Sequence, residues 1–317
     1  MRIGRREFVR AVAGLIALPS PRPSAFPGEG GSTDALETPR LVLLGTGGGP
    51  SPKRLRSAPA QLVLVGDDAY VVDCGNGVAR QMARAGVGLA RIRAVFITHH
   101  HSDHNADYGN LLLMGWIDGL KPTVDTYGPP PLAKLTALIE EVNKVDIETR
   151  IADEGRPPFS GLVKPHEITT DGVVMQTAGL RVTAALVDHP PIRPAFAYRF
   201  DTPSRSIVFS GDTAPSRSLI ALAKDADVLV HEVLYLPAVA RLAESERQAA
   251  RLREHLLASH TPSTEVGRVA AAAGVKTLVL SHFVPGDDPS ITDEMWAAGA
   301  RTHFKGKIVV GRDLMVL

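Results

Sequence analysis

The sequence predicts an α/β (α+β) protein in which two β-sheets pack against each other and helices cover the outside. Three observations point there. Short apolar, β-branched runs with hairpin signals fill the first part of the chain. Strands and helical segments alternate in the later part. No linker-like stretch divides the chain after residue 40, so residues 32–317 read as one domain. With 317 residues, 44% apolar and 22% charged, the chain can bury a sizeable core.

Residues 41–44 (Leu-Val-Leu-Leu) form a short strand that enters Gly45-Thr46-Gly47-Gly48-Gly49-Pro50. This glycine run is neither a G-x-G-x-x-G helix opening nor a Lys-Ser/Thr phosphate loop, and a tight backbone turn is the favoured reading over a phosphate cradle. Residues 61–65 and 69–73 are strands joined by the hairpin signal Gly66-Asp67-Asp68. A helix spans 76–85, with Val78, Met82 and Ala85 on one face and Gly86 ending it. The strand 93–98 precedes a helix over 107–120 that carries Leu111, Leu112, Met114 and Trp116. Residues 125–131 read as a turn, 132–143 as a helix and 150–175 as irregular. Strands follow at 181–188, 195–200, 206–210, 228–230, 277–280 and 307–310. Helices follow at 216–224, 237–257, 263–273 (closed by Gly274) and 292–304.

Residues 1–31 stand apart. Gly4-Arg5-Arg6-Glu7-Phe8-Val9-Arg10 precedes an apolar stretch at 11–18 and a Pro-, Ser- and Gly-rich stretch at 19–31. A charged region, a short apolar region and a breaker make the pattern of an export signal, with an apolar region too short to span a bilayer. The paired arginines before Phe8 resemble a twin-arginine signal. That resemblance implies the twin-arginine (Tat) export machinery as a partner, export of a folded, metal-loaded protein, and a periplasmic or secreted location without a stable membrane anchor. Cleavage near Ala25 removes five arginines and Glu7, leaving 30 basic against 33 acidic residues. Such a chain carries no basic excess for a large nucleic-acid footprint. Cys74 is the one cysteine, so no internal disulfide or Cys-rich metal site exists, and it reads as a small core residue.

The chemistry concentrates where strands end. The apolar run 95–97 leads into Thr98-His99-His100-His101-Ser102-Asp103-His104, a His99-x-His101-x-Asp103-His104 skeleton. Imidazole and carboxylate suit zinc and similar divalent ions. Alternation along an extended chain points His99 and His101 the same way, while Asp103 and His104, past the turn, can reach a second ion. Further donors end later strands: His189 after 182–187, Asp212 after 207–211, His231 after 228–230 and His282 after 278–281. Two ions sharing a site need a bridging anion, and Asp212 is the candidate for it.

These motifs, with Asp73 before them, resemble the metallo-β-lactamase superfamily from about Leu41 to the C-terminus. The resemblance implies a four-layer αββα sandwich with a dinuclear site at one edge. It implies that His99, His101 and His189 bind the first ion, that Asp103, His104 and His282 bind the second, that Asp212 bridges, and that Asp73 is structural. Within the superfamily the chain is most similar to the ribonuclease Z branch and its exported, arylsulfatase-like relatives. Gly45-Thr46-Gly47-Gly48 with Pro52 and Arg54, Asp73-Cys74-Gly75-Asn76-Gly77, Tyr127-Gly128-Pro129-Pro130 and Ala197-Tyr198-Arg199-Phe200 carry that likeness. So do His231-Glu232, His260-Thr261 and Ser281-His282-Phe283-Val284-Pro285. By that likeness His260 gives a proton to the leaving group and Glu232 orients it, so His260, Glu232 and Asp103 are the candidate catalytic residues. Two features depart from the ribonuclease. The stretch 145–175 is too short and mixed for a tRNA-gripping arm, and an exported, slightly acidic protein has little access to precursor tRNA. Conversely, the 28 residues between His231 and His260 are mostly amphipathic helix, either an overhang that selects a smaller substrate or a homodimer contact.

The expected function is therefore an exported hydrolase with two divalent ions, zinc by donor chemistry, acting on a small anionic ester such as a phosphodiester or sulfate ester. A ribonuclease Z-type tRNA 3′-processing enzyme, a β-lactamase and a non-catalytic metal-binding protein are the alternatives.

Overall fold

The structure is a computed structural model that describes residues 38–121, 123–246 and 248–317. The export-signal reading of residues 1–31 lies outside the described residues. The elements run in order as β1 (Arg40–Gly45), β2 (Ala60–Val65), β3 (Asp68–Val72), α1 (Val78–Arg84), β4 (Ile92–Phe96), α2 (Ser102–Asn105), α3 (Tyr108–Ile117), β5 (Val124–Gly128), α4 (Leu132–Val142) and α5 (Lys144–Glu154). Then come β6 (Val163–Glu167), β7 (Gly172–Gln176), β8 (Arg181–Leu186), β9 (Phe196–Asp201), β10 (Ser206–Phe209), α6 (Arg217–Leu222) and β11 (Val228–Leu234). The chain continues with α7 (Leu236–Ser245), α8 (Leu252–Ser259), α9 (Ser263–Ala273), β12 (Thr277–Val284), α10 (Asp293–Arg301), β13 (Lys307–Val310) and β14 (Met315–Val316).

Two seven-stranded sheets form, ordered β14-β1-β2-β3-β4-β5-β6 and β13-β12-β11-β10-β9-β8-β7. Side-chain alternation along the strands decides the layers. In β1, Leu41 and Leu43 face the other sheet while Val42 and Leu44 face helices; in β10, Ile207 and Phe209 face inward and Val208 outward. One core lies between the sheets, a second packs α1, α3 and α4 on the first sheet, and a third packs α6, α9 and α10 on the second. The result is the αββα sandwich.

Strand direction places the site. β3 to β6 are parallel, and so are β10 to β13. β1 runs in the sense of β3, because both are antiparallel to β2. β8 runs in the sense of β10, because both are antiparallel to β9. The C-terminal ends of β1, β3 and β4 therefore share one edge of the first sheet, and those of β8, β10, β11 and β12 share one edge of the second. Two hydrogen bonds tie the edges together: Tyr198 Oη donates to the Ile97 carbonyl at 2.9 Å, and Phe196 N–H donates to the Thr98 carbonyl at 2.9 Å.

Four expectations need correction. Residues 124–128 are a strand, not a turn, pairing in parallel with β4 at Val95 and Thr126; two polar residues in five hid the pattern. The stretch 150–175 is not irregular, because α5 runs to Glu154 and β6 and β7 form an edge of each sheet. Both edge strands stay partly exposed, and neither the mostly polar β6 nor the Val173-Val174-Met175 run of β7 shows an apolar alternation. The helix expected over 237–257 is two helices, α7 and α8. One straight helix of that length would span roughly 30 Å, whereas the break lets Val239 and Leu256 share a small cluster with Leu234 and Val284. Finally, β11 and β12 extend past their expected ends, so His231, Glu232 and His282 lie inside strands. No helix among the described residues is long and apolar enough to cross a membrane.

Phe96 is the aromatic centre of the inter-sheet core: it stacks on Tyr127 at 5.1 Å and meets Phe200 and Tyr198 edge-on at 5.1 and 5.4 Å. Phe96→Ala should lower stability by about 3–5 kcal/mol, read as a fall in the urea midpoint at unchanged m-value.

Candidate metal centre

Three imidazole nitrogens meet at the shared edge. His99 Nε2 and His189 Nε2 each lie 3.1 Å from His101 Nδ1, and Asp212 Oδ2 stands 3.9 and 4.0 Å from the first two. Beside them His104 Nε2 and His282 Nε2 lie 3.2 Å apart, at 3.6 and 3.4 Å from Asp103 Oδ2. Asp212 Oδ2 approaches these two at 3.3 and 3.2 Å, so one carboxylate oxygen faces both sets. All seven residues expected to hold metal are thus brought together.

Neighbouring groups set the tautomers. Asp73, just after β3, accepts from Thr98 N–H at 2.8 Å, from Thr98 Oγ1 at 2.9 Å and from His104 Nδ1 at 2.8 Å. Because Thr98 gives its hydroxyl proton to Asp73, it accepts from His99 Nδ1 at 3.1 Å. His189 Nδ1 donates to the Ser259 carbonyl at 2.9 Å. With Nδ1 protonated, His99, His104 and His189 all turn a bare Nε2 lone pair into the site. A proton on His101 Nδ1 can satisfy only one of the two lone pairs that face it, from His99 and His189, and the buried Asp212 Oδ1 has no partner at all. Burial holds His99 well below the ordinary imidazole pKa, aided by His104, and it lowers His189 to about 4 although Asp212 opposes it. Burial also works against charging His104, yet Asp212, Asp73 and Asp103 pull its pKa well above normal, so with no cation among them the carboxylates draw a proton onto the Nε2 that a cation would otherwise meet. Converging neutral donors beside crowded carboxylates need positive charge among them, and divalent cations fit.

A backbone device aims His282. In the β11/β12 pairing, Glu232 sits opposite Ser281 and Val233 opposite Phe283, so His282 is the extra residue of a bulge, with φ +44°. The glycine-rich turn clamps this bulge: Phe283 N–H donates to the Thr46 carbonyl at 2.9 Å and Gly48 N–H to the Phe283 carbonyl at 3.0 Å. A Cβ on Gly48 would lie 2.6 Å from the His282 ring, so the ring's seat requires glycine. Gly49 N–H donates to Asp103 Oδ2 at 2.8 Å. The turn therefore holds ligand candidates in place.

Next to the cluster, His260 Nδ1 lies 2.9 Å from Glu232 Oε2, and Glu232 Oε1 accepts Thr213 N–H at 2.7 Å. Both side chains are buried. Burial disfavours a charged His260, but Glu232, with Asp212 and Asp103 behind it, raises its pKa to about 9. Cations in the adjoining cluster would work against that rise. His231 is not at the site edge in function: it is fully buried and held through Nδ1 by the Glu232 carbonyl at 2.8 Å. Cys74 is buried, and burial pushes its thiol pKa well up, which suits a core residue.

A cavity of about 650 Å³ opens over the cluster, floored by His101, Asp103, Asp212, His260 and His282. Leu242 of α7 and Leu252 and Leu256 of α8 wall it. Two lining residues had no sequence signal. Lys53 donates to the Gly49 and Ser51 carbonyls, both at 2.8 Å. His255, inside the expected long helix, places its ring 5.7 Å from His260 and 5.9 Å from His101 and His189. Asp73→Ala should weaken divalent-metal binding about 10- to 100-fold, read by metal titration of the folded variant.

The chain is similar to known proteins over most of its length. The Beta-lactamase superfamily domain matches residues 69–283. Ribonuclease Z of Mycobacterium bovis (strain BCG / Pasteur 1173P2) is 36% identical over 277 residues, covering 86% of this chain and 96% of the relative. The short form of human tRNase Z superposes with a TM-score of 0.65 at 19% identity, over 88% of this chain and 98% of that one. The metallo-beta-lactamase fold protein YhfI from Bacillus subtilis gives 0.64 at 23% identity, with the same two coverages. The chain belongs to the metallo-β-lactamase superfamily and is a metal-dependent hydrolase of that fold.

Proposed function

We propose that this hydrolase is a phosphodiesterase of the ribonuclease Z type. The observation that carries this reading is the buried Glu232–His260 pair beside the cluster around Asp212, in a chain alike to a ribonuclease Z along 96% of that relative's length. In this proposal His99, His101 and His189 hold one divalent ion, Asp103, His104 and His282 a second, and Asp212 both; zinc is the ion the donors favour. When bound, two such ions supply Lewis-acid activation of water and neutralise an anionic ester.

The chain's own residues do the rest. Glu232 takes up Nδ1 of His260, which leaves the Nε2 proton free for a leaving oxygen. The Thr213 N–H holds Glu232 so that this direction is kept. Leu242, Leu252 and Leu256 keep one wall of the cavity dry. Residues 144–176 build α5, β6 and β7 instead of a projecting arm, so substrate contacts fall to the cavity itself. The sequence features of residues 1–31 add an exported location to the proposal, where a diester other than precursor tRNA is the accessible substrate.

The test is a panel of bis-p-nitrophenyl phosphate, p-nitrophenyl sulfate, nitrocefin and a 3′-extended tRNA, given to metal-analysed protein. Diester turnover that chelation abolishes and zinc restores supports the reading; turnover of nitrocefin or the sulfate ester without any diester sinks it. Asp212→Ala should lose bound metal and activity together. His260→Ala should keep the metal and lose roughly 100-fold or more in rate, most clearly on diesters with poor leaving groups.

A further inference from the structure

The cavity holds a second imidazole that the mechanism above does not use. His255 Nδ1 lies 3.2 Å from Ser259 Oγ. Ser259 Oγ also contacts the Pro190 carbonyl, which can only accept, so the single hydroxyl proton of Ser259 goes there. Toward His255, Ser259 can then only accept. The proton must sit on His255 Nδ1, and Nε2 is left as a bare acceptor. Nε2 has no hydrogen-bond partner among the described residues, and the ring lines the cavity. His260 is the mirror case, because Glu232 takes Nδ1 and leaves Nε2 as a donor. One donating and one accepting imidazole thus stand side by side, with ring centres 5.7 Å apart and planes 86° apart.

We infer that His255 is a specificity residue: it accepts a hydrogen bond from a hydroxyl on the carbon next to the leaving oxygen, so the site prefers leaving groups that are vicinal diols, as in ribose. The inference rests on the phosphodiesterase reading. Two oxygens on adjacent carbons match the pair. One takes the proton from His260 Nε2 as its bond to phosphorus breaks. Its neighbour keeps its own proton and donates it in a hydrogen bond to His255 Nε2. A deoxy leaving group supplies no such donor and leaves that nitrogen unpaired beside the substrate. A role for His255 as a further metal ligand fits less well, since its ring centre stays 5.9 Å from those of His101 and His189 and Ser259 holds its Nδ1.

The experiment compares a ribodinucleoside monophosphate with the same dinucleotide lacking only the 2′-hydroxyl of its 5′ nucleoside, counting cleavage that frees the 3′ oxygen. The wild-type protein should favour the ribo substrate about tenfold in kcat/KM, one hydrogen bond's worth, and His255→Phe should bring the ratio near one. Ser259→Ala releases the Nδ1 proton from its hold and should narrow the ratio too, which keeps a readout should His255→Phe not fold. Equal wild-type rates on the two dinucleotides, cleavage that frees only the 5′ oxygen, or a ratio untouched by either variant overturns the inference. Turnover of bis-p-nitrophenyl phosphate with equal rates on the dinucleotides overturns it alone; no turnover of any diester removes the phosphodiesterase reading and this inference with it.

Discussion

The buried carboxylate of Asp73 is the constraint on which the site depends. It stands at the end of β3 with φ +61°, a conformation a non-glycine residue adopts only when its surroundings hold it. Its hydrogen bonds reach the segment just after β4 through Thr98 and the candidate metal loop through His104. They fix which nitrogen of His99 and of His104 carries the proton, and so which one is offered to a cation. Bonds to a charged acceptor are worth about 1.5–3 kcal/mol each, enough to hold a loop in which neutral donors and carboxylates are crowded together. Asp73 is therefore not a ligand candidate, yet the ligand geometry of two histidines follows from it.

The other half of the centre is held by a different device. Asp73 works through side-chain hydrogen bonds, whereas His282 is set by the backbone: a bulge between two parallel strands and a glycine turn pressed against it. Gly48 leaves room for the imidazole ring, and Gly49 steadies Asp103. One loop after β1 thus secures two members of the second donor set, one from each sheet. The inter-sheet hydrogen bonds at Ile97 and Thr98 keep the two edges in register.

Above the cluster, the broken segment α7–α8 does two jobs at once. Its apolar residues wall the cavity, and its last turn carries Ser259, whose carbonyl orients His189 and whose hydroxyl orients His255. The adjoining His260 then turns to Glu232. A single residue so links a metal-ligand candidate, a cavity imidazole and the chain that delivers the candidate proton donor. The cavity wall and the orientation of the cluster are coupled there through bonds only a few ångströms long.

Much of this was legible in the chain because donors follow apolar strands directly. Burial and period are local properties, so His99, His101, Asp103, His104, His189 and Asp212 declared themselves where a hydrophobic run stopped. The glycine turn after β1 and the Glu232–His260 pairing could be named from the likeness of their motifs to a family. Other features depend on partners far off in sequence and left no local trace. The bulge at His282 exists because β12 pairs with β11 and packs on Gly48; β5, β6 and β7 are strands because neighbouring strands supply their hydrogen bonds, not because their residues alternate. The break between α7 and α8 follows from a cluster shared with Leu234 and Val284. His255 looked like one more polar position on a helix until folding brought Ser259, His260 and the cavity around it. The sequence by itself determined which donors exist and where strands release them; only the tertiary structure decided their aim, since aim is set by hydrogen bonds and packing between segments that the chain order keeps apart.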